Sequence, residues 1–127
     1  MFKFPENILS DWQRAKEFTV EIGCFLQGIG WTTRKARIKH ASECTLYISP
    51  CRKFLVKRPF VTNTSLPPNA IPTIVENGWF LQPIADVSAA AKKEAYKYFK
   101  VVQKYYEHDM NRNNVALFDG NPVLIDW

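Results

Sequence analysis

The chain predicts an α+β fold: a helix, a group of antiparallel strands, a second helix and a closing hairpin. Three observations predict it. Apolar residues recur at helical spacing in two separate segments, short β-rich runs lie between and after them, and Asn77-Gly78 and Asp119-Gly120 each separate two such runs. Asn-Gly and Asp-Gly supply the positive φ angles of a type I′ turn, so each pair marks a hairpin. Helices set apart from antiparallel strands are the pattern of an α+β domain.

At 127 residues the chain is long enough for one domain with a core of its own. It divides into an N-terminal helical part (1–30), a sheet (31–85) and a helix with a terminal hairpin (86–127). Ser10-Asp11-Trp12-Gln13 reads as a capping box. Trp12, Ala15, Phe18, Ile22, Phe25 and Leu26 then predict one helix from about Asp11 to Gln27, stopped by Gly28 and Gly30. A basic stretch, Arg34-Lys35-Ala36-Arg37-Ile38-Lys39, follows without a predicted element. Thr45–Ile48 and Phe54–Lys57 read as short strands joined through Ser49-Pro50-Cys51-Arg52, and Thr62–Pro72 as a proline-stiffened loop. Ile74–Glu76 and Trp79–Leu81 flank Asn77-Gly78, and Pro83 should end the second of these strands or lie on an edge. Asp86 or Ser88 caps a long helix running to about Tyr106, with Ala91, Ala95, Phe99, Val102 and Tyr106 on its buried face.

The net charge of +5 permits an acidic partner or a nucleotide and selects neither. No apolar run is long enough to cross a bilayer, and the first residues lack a secretory signal, so no membrane association is expected. Cys24, Cys44 and Cys51 are odd in number and without metal-ligand spacing. Free thiols in a reducing, cytoplasmic setting are the expectation.

The chemistry concentrates in the last twenty residues. Asp109 is followed five positions later by Asn114, then by the hairpin around Asp119-Gly120, then by Asp126 after Val123-Leu124-Ile125. The hairpin returns Asp126 towards the loop that carries Asp109 and Asn114. Such groups could position a hydroxyl, a divalent metal and a phosphate chain together, which is the apparatus of phosphotransfer or the remains of it.

On these residues the sequence resembles the eukaryotic-type protein kinase and aminoglycoside phosphotransferase superfamily, and Ile125-Asp126-Trp127 is closer to the aminoglycoside-kinase-like branch. The likeness runs from about Thr45 to Trp127. It implies a minimal kinase-like fold, with an antiparallel small-lobe sheet, a long helix and a catalytic-loop hairpin. It also implies ATP and magnesium as cofactors, Asp109 as the base or orienter of the attacking hydroxyl, and Asn114 and Asp126 as magnesium ligands. Phe54-Leu55-Val56-Lys57 resembles the strand Val-Ala-Ile-Lys, making Lys57 the lysine that steadies the phosphates. Trp79–Ile84 stands where the strand and hinge between lobes would lie.

The chain departs from that pattern at several points. Glu107 stands in the usual histidine place of the loop, and His40–Thr45 replaces the glycine-rich loop, leaving Ser42 and Thr45 to cradle phosphate with hydroxyls. The Lys57–Ile74 segment is too short for the helix that supplies a glutamate partner. Glu17 or Glu21 would substitute only if the first helix packed in its place, and both are expected to be solvated. The sequence stops after Trp127, so a truncated domain is expected. It is either a minimal ATP-dependent phosphotransferase or a catalytically inactive scaffold that binds or inhibits a protein.

For that second reading, Lys93, Lys97, Lys100 and Lys104 form a basic stripe on the long helix. Tyr96, Tyr98, Tyr105 and Tyr106 add aromatic weight, and Arg34, Lys35, Arg37 and Lys39 extend the positive charge. An acidic protein is the expected partner, with nucleic acid a weaker one. Trp31 and Trp79 are expected in the core or at its rim, and His40 and His108 are not expected to ligate a metal.

Overall fold

Pro5 opens the first helix. Its carbonyl accepts from the amides of Ile8 and Leu9 at 3.1 and 3.0 Å, and α1 covers Glu6–Glu17. A proline suits this place because the first helical N–H groups have no intrahelical acceptor. The expected start at Ser10 is corrected accordingly, since Ser10 is an exposed residue inside α1. The computed structural model describes residues 2–17, 21–37, 43–58, 66–102 and 114–125.

A second helix, α2, spans Ile22–Gly28 behind an extended Glu21 (φ −159°, ψ 131°). The single helix expected from Asp11 to Gln27 is thus two. Both turn their apolar residues into one cluster, so the periodicity runs through a break that it cannot register. Trp12, Ala15 and Leu26 are buried as expected. Gly23 of α2 lies where an added Cβ would overlap the Tyr47 ring, so the absent side chain permits close approach of helix to sheet.

The sheet is antiparallel throughout, in the order β1-β2-β3-β5-β4. Its strands are β1 (Thr32–Arg37), β2 (Glu43–Ile48), β3 (Phe54–Lys57), β4 (Ile74–Glu76) and β5 (Trp79–Pro83). The sequence reading missed β1, because Thr-Thr-Arg-Lys-Ala-Arg has no apolar alternation. Its ladder from Thr32↔Ile48 to Arg37↔Glu43 nevertheless matches β2 residue for residue. Asn77 and Gly78 both hold positive φ (51° and 80°) between β4 and β5. Pro83 closes β5 opposite Phe54, the strand-end place that an internal strand allows a residue without an N–H.

Alternation divides the sheet into two faces. Tyr47, Phe54, Val56, Trp79 and Leu81 pack with Ile8, Trp12, Ala15, Leu26 and Trp31 of the helical side. The other face carries Leu46, Lys57 and Phe80 in paired register. Phe80 packs there on Ala95 and Phe99 of α3 (Ala89–Val102), with Val115 and Leu124 of the terminal hairpin.

Ser88 caps α3, its Oγ accepting from the Ala91 amide at 3.2 Å, and Asp86 Oδ1 accepts from the Ser88 amide at 2.9 Å. Both residues named as alternatives therefore act together. The hairpin is β6 (Val115–Phe118) and β7 (Asn121–Leu124), with Asp119 and Gly120 at φ 54° and 78° as the turn requires. It is held at two further places. Leu124 bridges Ala70 in parallel sense, and Leu117 bridges Asp86 antiparallel. A mixed domain of helices and two antiparallel sheets results, as the sequence predicts.

Candidate functional site

Lys57 ends β3 and is only 5% exposed. Most strand lysines face water. This one points to the same face as Leu46 and Phe80, its register partners, and its Nζ donates to the carbonyl of Ile125 at 2.7 Å. A buried ammonium is tolerated only against strong acceptors, and this carbonyl supplies one.

Ile125 is the junction of the site. Its amide donates to the Asn114 carbonyl at 2.9 Å, extending the β6–β7 pairing to the two residues that bracket the hairpin. Asn114 is itself 1% exposed. Gln82, at 2% exposure, also turns its carboxamide here: Nε2 lies 3.1 Å from Thr73 Oγ1 and 3.5 Å from the Ile125 carbonyl. Thr73 Oγ1 in turn donates to the carbonyl of Ile71 at 2.7 Å. The Ile71 amide closes the loop by donating to Leu124 at 2.9 Å.

Of the residues singled out in the sequence, Lys57 and Asn114 meet around Ile125. Asp109, Ser42 and Asp126 lie outside the described residues. Thr45 is not brought to Lys57. Strand alternation turns it to the helical face, where Oγ1 accepts from Lys35 Nζ at 3.0 Å. Glu17 and Glu21 are exposed on the same helical side, Glu17 accepting from Gln13 and Glu21 from the Cys24 thiol. Neither helix occupies the Lys57 face, so neither glutamate is placed to meet Lys57.

Sequence reasoning missed two participants. Gln82 gave no signal, since a lone glutamine before a proline is ordinary. Lys92 stands beside the lysine stripe on α3, yet it is half-buried and its Nζ reaches the Val115 carbonyl at 3.3 Å. Burial lowers its pKa from the usual lysine value. A helical wheel placing Ala91, Ala95 and Phe99 inward puts Lys92 at the border of that face, which was the available signal.

The remaining surface follows expectation where it is described. Lys93, Lys97 and Lys100 are exposed on α3 beside exposed Tyr98, and Arg34 and Lys35 are exposed on β1. The side chain of Arg37, together with Lys39, His40, Lys104, Tyr105, Tyr106 and His108, lies outside the described residues. Trp31 is buried, with its Nε1 donating to Asp11 at 3.0 Å, and Trp79 lies at the rim under the Arg58 guanidinium. Cys24, Cys44 and Cys51 are thiols, none of them in a disulfide.

On the Lys57 face Cys44, Leu46 and Ile48 form an apolar strip with Ala36, Leu55 and Ile84. A recess of about 270 Å³, lined by Thr32, Thr33, Arg34, Ile48, Arg52 and Ile84, opens beside it. Among the described residues no group of three or more His, Cys, Asp or Glu is placed to hold a metal ion. No helix among them is long and apolar enough to cross a membrane. No family model, curated protein or solved structure matches the chain.

Proposed function

We propose that the chain is a kinase-like nucleotide-binding domain that takes ATP and magnesium on the Lys57 face of its sheet. The observation that carries this reading is the 2.7 Å contact from Lys57 Nζ to Ile125, the residue that precedes Asp126. Lys57 ends the third strand of its sheet, as the phosphate-binding lysine of protein kinases does. The Asn114 carbonyl accepts from the amide of Ile125, the residue that precedes in sequence the other position read as a magnesium ligand, 126.

The donor set suits magnesium. A carboxamide and a carboxylate are hard oxygen ligands, few in number, and phosphate oxygens would complete the shell. Bound there, magnesium would neutralise charge on the phosphates. The chain's own residues do the rest. Lys57 steadies the phosphate chain, the strip of Leu46, Ile48, Leu55 and Ile84 offers the base an apolar bed, and Asp109 orients an acceptor hydroxyl in a phosphotransferase.

Calorimetry with ATP, with and without magnesium, tests the reading on wild type, Lys57→Met and Asp126→Asn. Magnesium-dependent binding lost in both variants supports it; binding unchanged in either folded variant overturns it. The second reading is a catalytically inert scaffold that binds an acidic protein. It is favoured by exposed Tyr98 and Val101 beside Lys97 and Lys100 on α3. A partner complex that survives Asp126→Asn and fails with Lys97→Glu and Lys100→Glu would select it.

A further inference from the structure

We infer that Gln82 is a reserve donor, a positioning residue that takes over the Ile125 carbonyl when Lys57 leaves it for a bound phosphate. The inference rests on the reading of Lys57 as the phosphate-binding group.

Two donors face one acceptor. Lys57 Nζ holds the Ile125 carbonyl at 2.7 Å, while Gln82 Nε2 stands at 3.5 Å, the outer limit of a hydrogen bond. The orientation of the Gln82 amide is fixed by its surroundings. Thr73 Oγ1 spends its proton on the Ile71 carbonyl at 2.7 Å, so at 3.1 Å it can only accept from Gln82. The Ile125 carbonyl is likewise acceptor only. Both neighbours therefore require nitrogen, and an NH2 group has one proton for each.

An ammonium has three N–H groups, but a phosphate bound out of reach of the 2.7 Å contact would draw Nζ off the Ile125 carbonyl. Lys57 moving to such a ligand would strip the half-buried Ile125 carbonyl of its nearer donor, which would oppose binding. Gln82, 2% exposed and anchored on Thr73, needs only to close from 3.5 Å to an ordinary distance. The carbonyl then stays satisfied and Ile125 stays in place, so the segment leading to Asp126 is held in both states.

The test uses Lys57→Met, Gln82→Leu and the double variant of the full chain. In Lys57→Met the ammonium is absent permanently, so the Gln82 side-chain amide protons should shift downfield and exchange more slowly by NMR. Magnesium-ATP added to wild type should move them the same way. In urea the double variant should lose more stability than the sum of the single losses, because only there is the Ile125 carbonyl stripped. ATP should bind Gln82→Leu about tenfold more weakly than wild type, as expected for one half-buried hydrogen bond to a carbonyl. Wild type that binds no ATP would overturn the reading of Lys57 and the hand-over together. Wild type that binds ATP while the Gln82 amide stays unmoved and the single losses add would overturn the hand-over alone.

Discussion

Asp86 and Leu117 exchange both backbone hydrogen bonds, at 2.8 Å and 3.1 Å. A residue's N–H and C=O point to the same side of an antiparallel strand, so Leu117 faces Asp86 with its polar groups and shows none to β7. Its partner across the hairpin is Pro122, which therefore sits in a non-hydrogen-bonded pair and loses nothing by lacking an N–H. Leu117→Pro should cost about 1–3 kcal/mol, because the Asp86 carbonyl loses its donor. Pro122→Val should change stability much less. Urea unfolding of both variants checks the asymmetry, and equal losses would refute the assignment of which strand face is bonded.

Much of this hairpin was legible beforehand, because Asp119-Gly120 and Asn77-Gly78 are turn signals with one strong solution each. The strand β1 was not. Its charged residues gain nothing from burial, and it forms because β2 offers it a complete ladder. The start of α1 was misplaced because a capping box at Ser10 competes with Pro5, and only the hydrogen bonds to the Pro5 carbonyl decide between them. For the site, Asn114 is marked by its spacing from Asp109 and Lys57 by the resemblance of Phe54–Lys57 to Val-Ala-Ile-Lys, whereas Gln82 depends on a register that pairs it with Leu55. The sheet face of Thr45 likewise follows from alternation within β2 rather than from its proximity to Lys57 in a motif.

Acid should act on the link before α3. The hydrogen bond from the Ser88 amide, then that from its side chain, holds the Asp86 carboxyl below its ordinary pKa. A depressed acid contributes stability above its unfolded value and loses it as pH falls through the folded value. The loss should begin below about pH 4 and be complete once the lowered value is passed. Thermal melts from pH 6 downwards should show a steeper decline for wild type than for Asp86→Asn. Parallel curves would mean that this carboxylate is not linked to folding.

The helix–sheet approach makes a separate forecast. An alanine at Gly23 would drive its Cβ into the Tyr47 ring, a collision with the body of the side chain. Gly23→Ala should destabilise the domain by about 1–3 kcal/mol despite the better helix propensity of alanine. Gly28→Ala, which meets nothing within 4 Å, serves as the control. A stabilised Gly23→Ala would show that α2 can move off the sheet.

Magnesium removal separates ligand from fold. If the Lys57 face takes ATP and magnesium as proposed, chelation should weaken ATP binding by at least about tenfold, since the phosphate charge then lacks its counter-ion. The melting temperature of the nucleotide-free protein should be unaffected, and a fall on adding chelator would point to a structural metal instead.

The polar character of β1 has a meaning beyond the ladder it completes. β1 is an outer strand of the sheet, and Thr32, Thr33, Arg34 and Lys35 along it are exposed. An open edge invites the edge of another molecule, and β-sheet proteins guard such edges with charge. Two copies meeting there would bring Arg34 and Lys35 of one against the same cations of the other. The strand hardest to read in the sequence is thus the one whose composition discourages sheet-to-sheet self-association, a protection that high salt would be the first condition to erode.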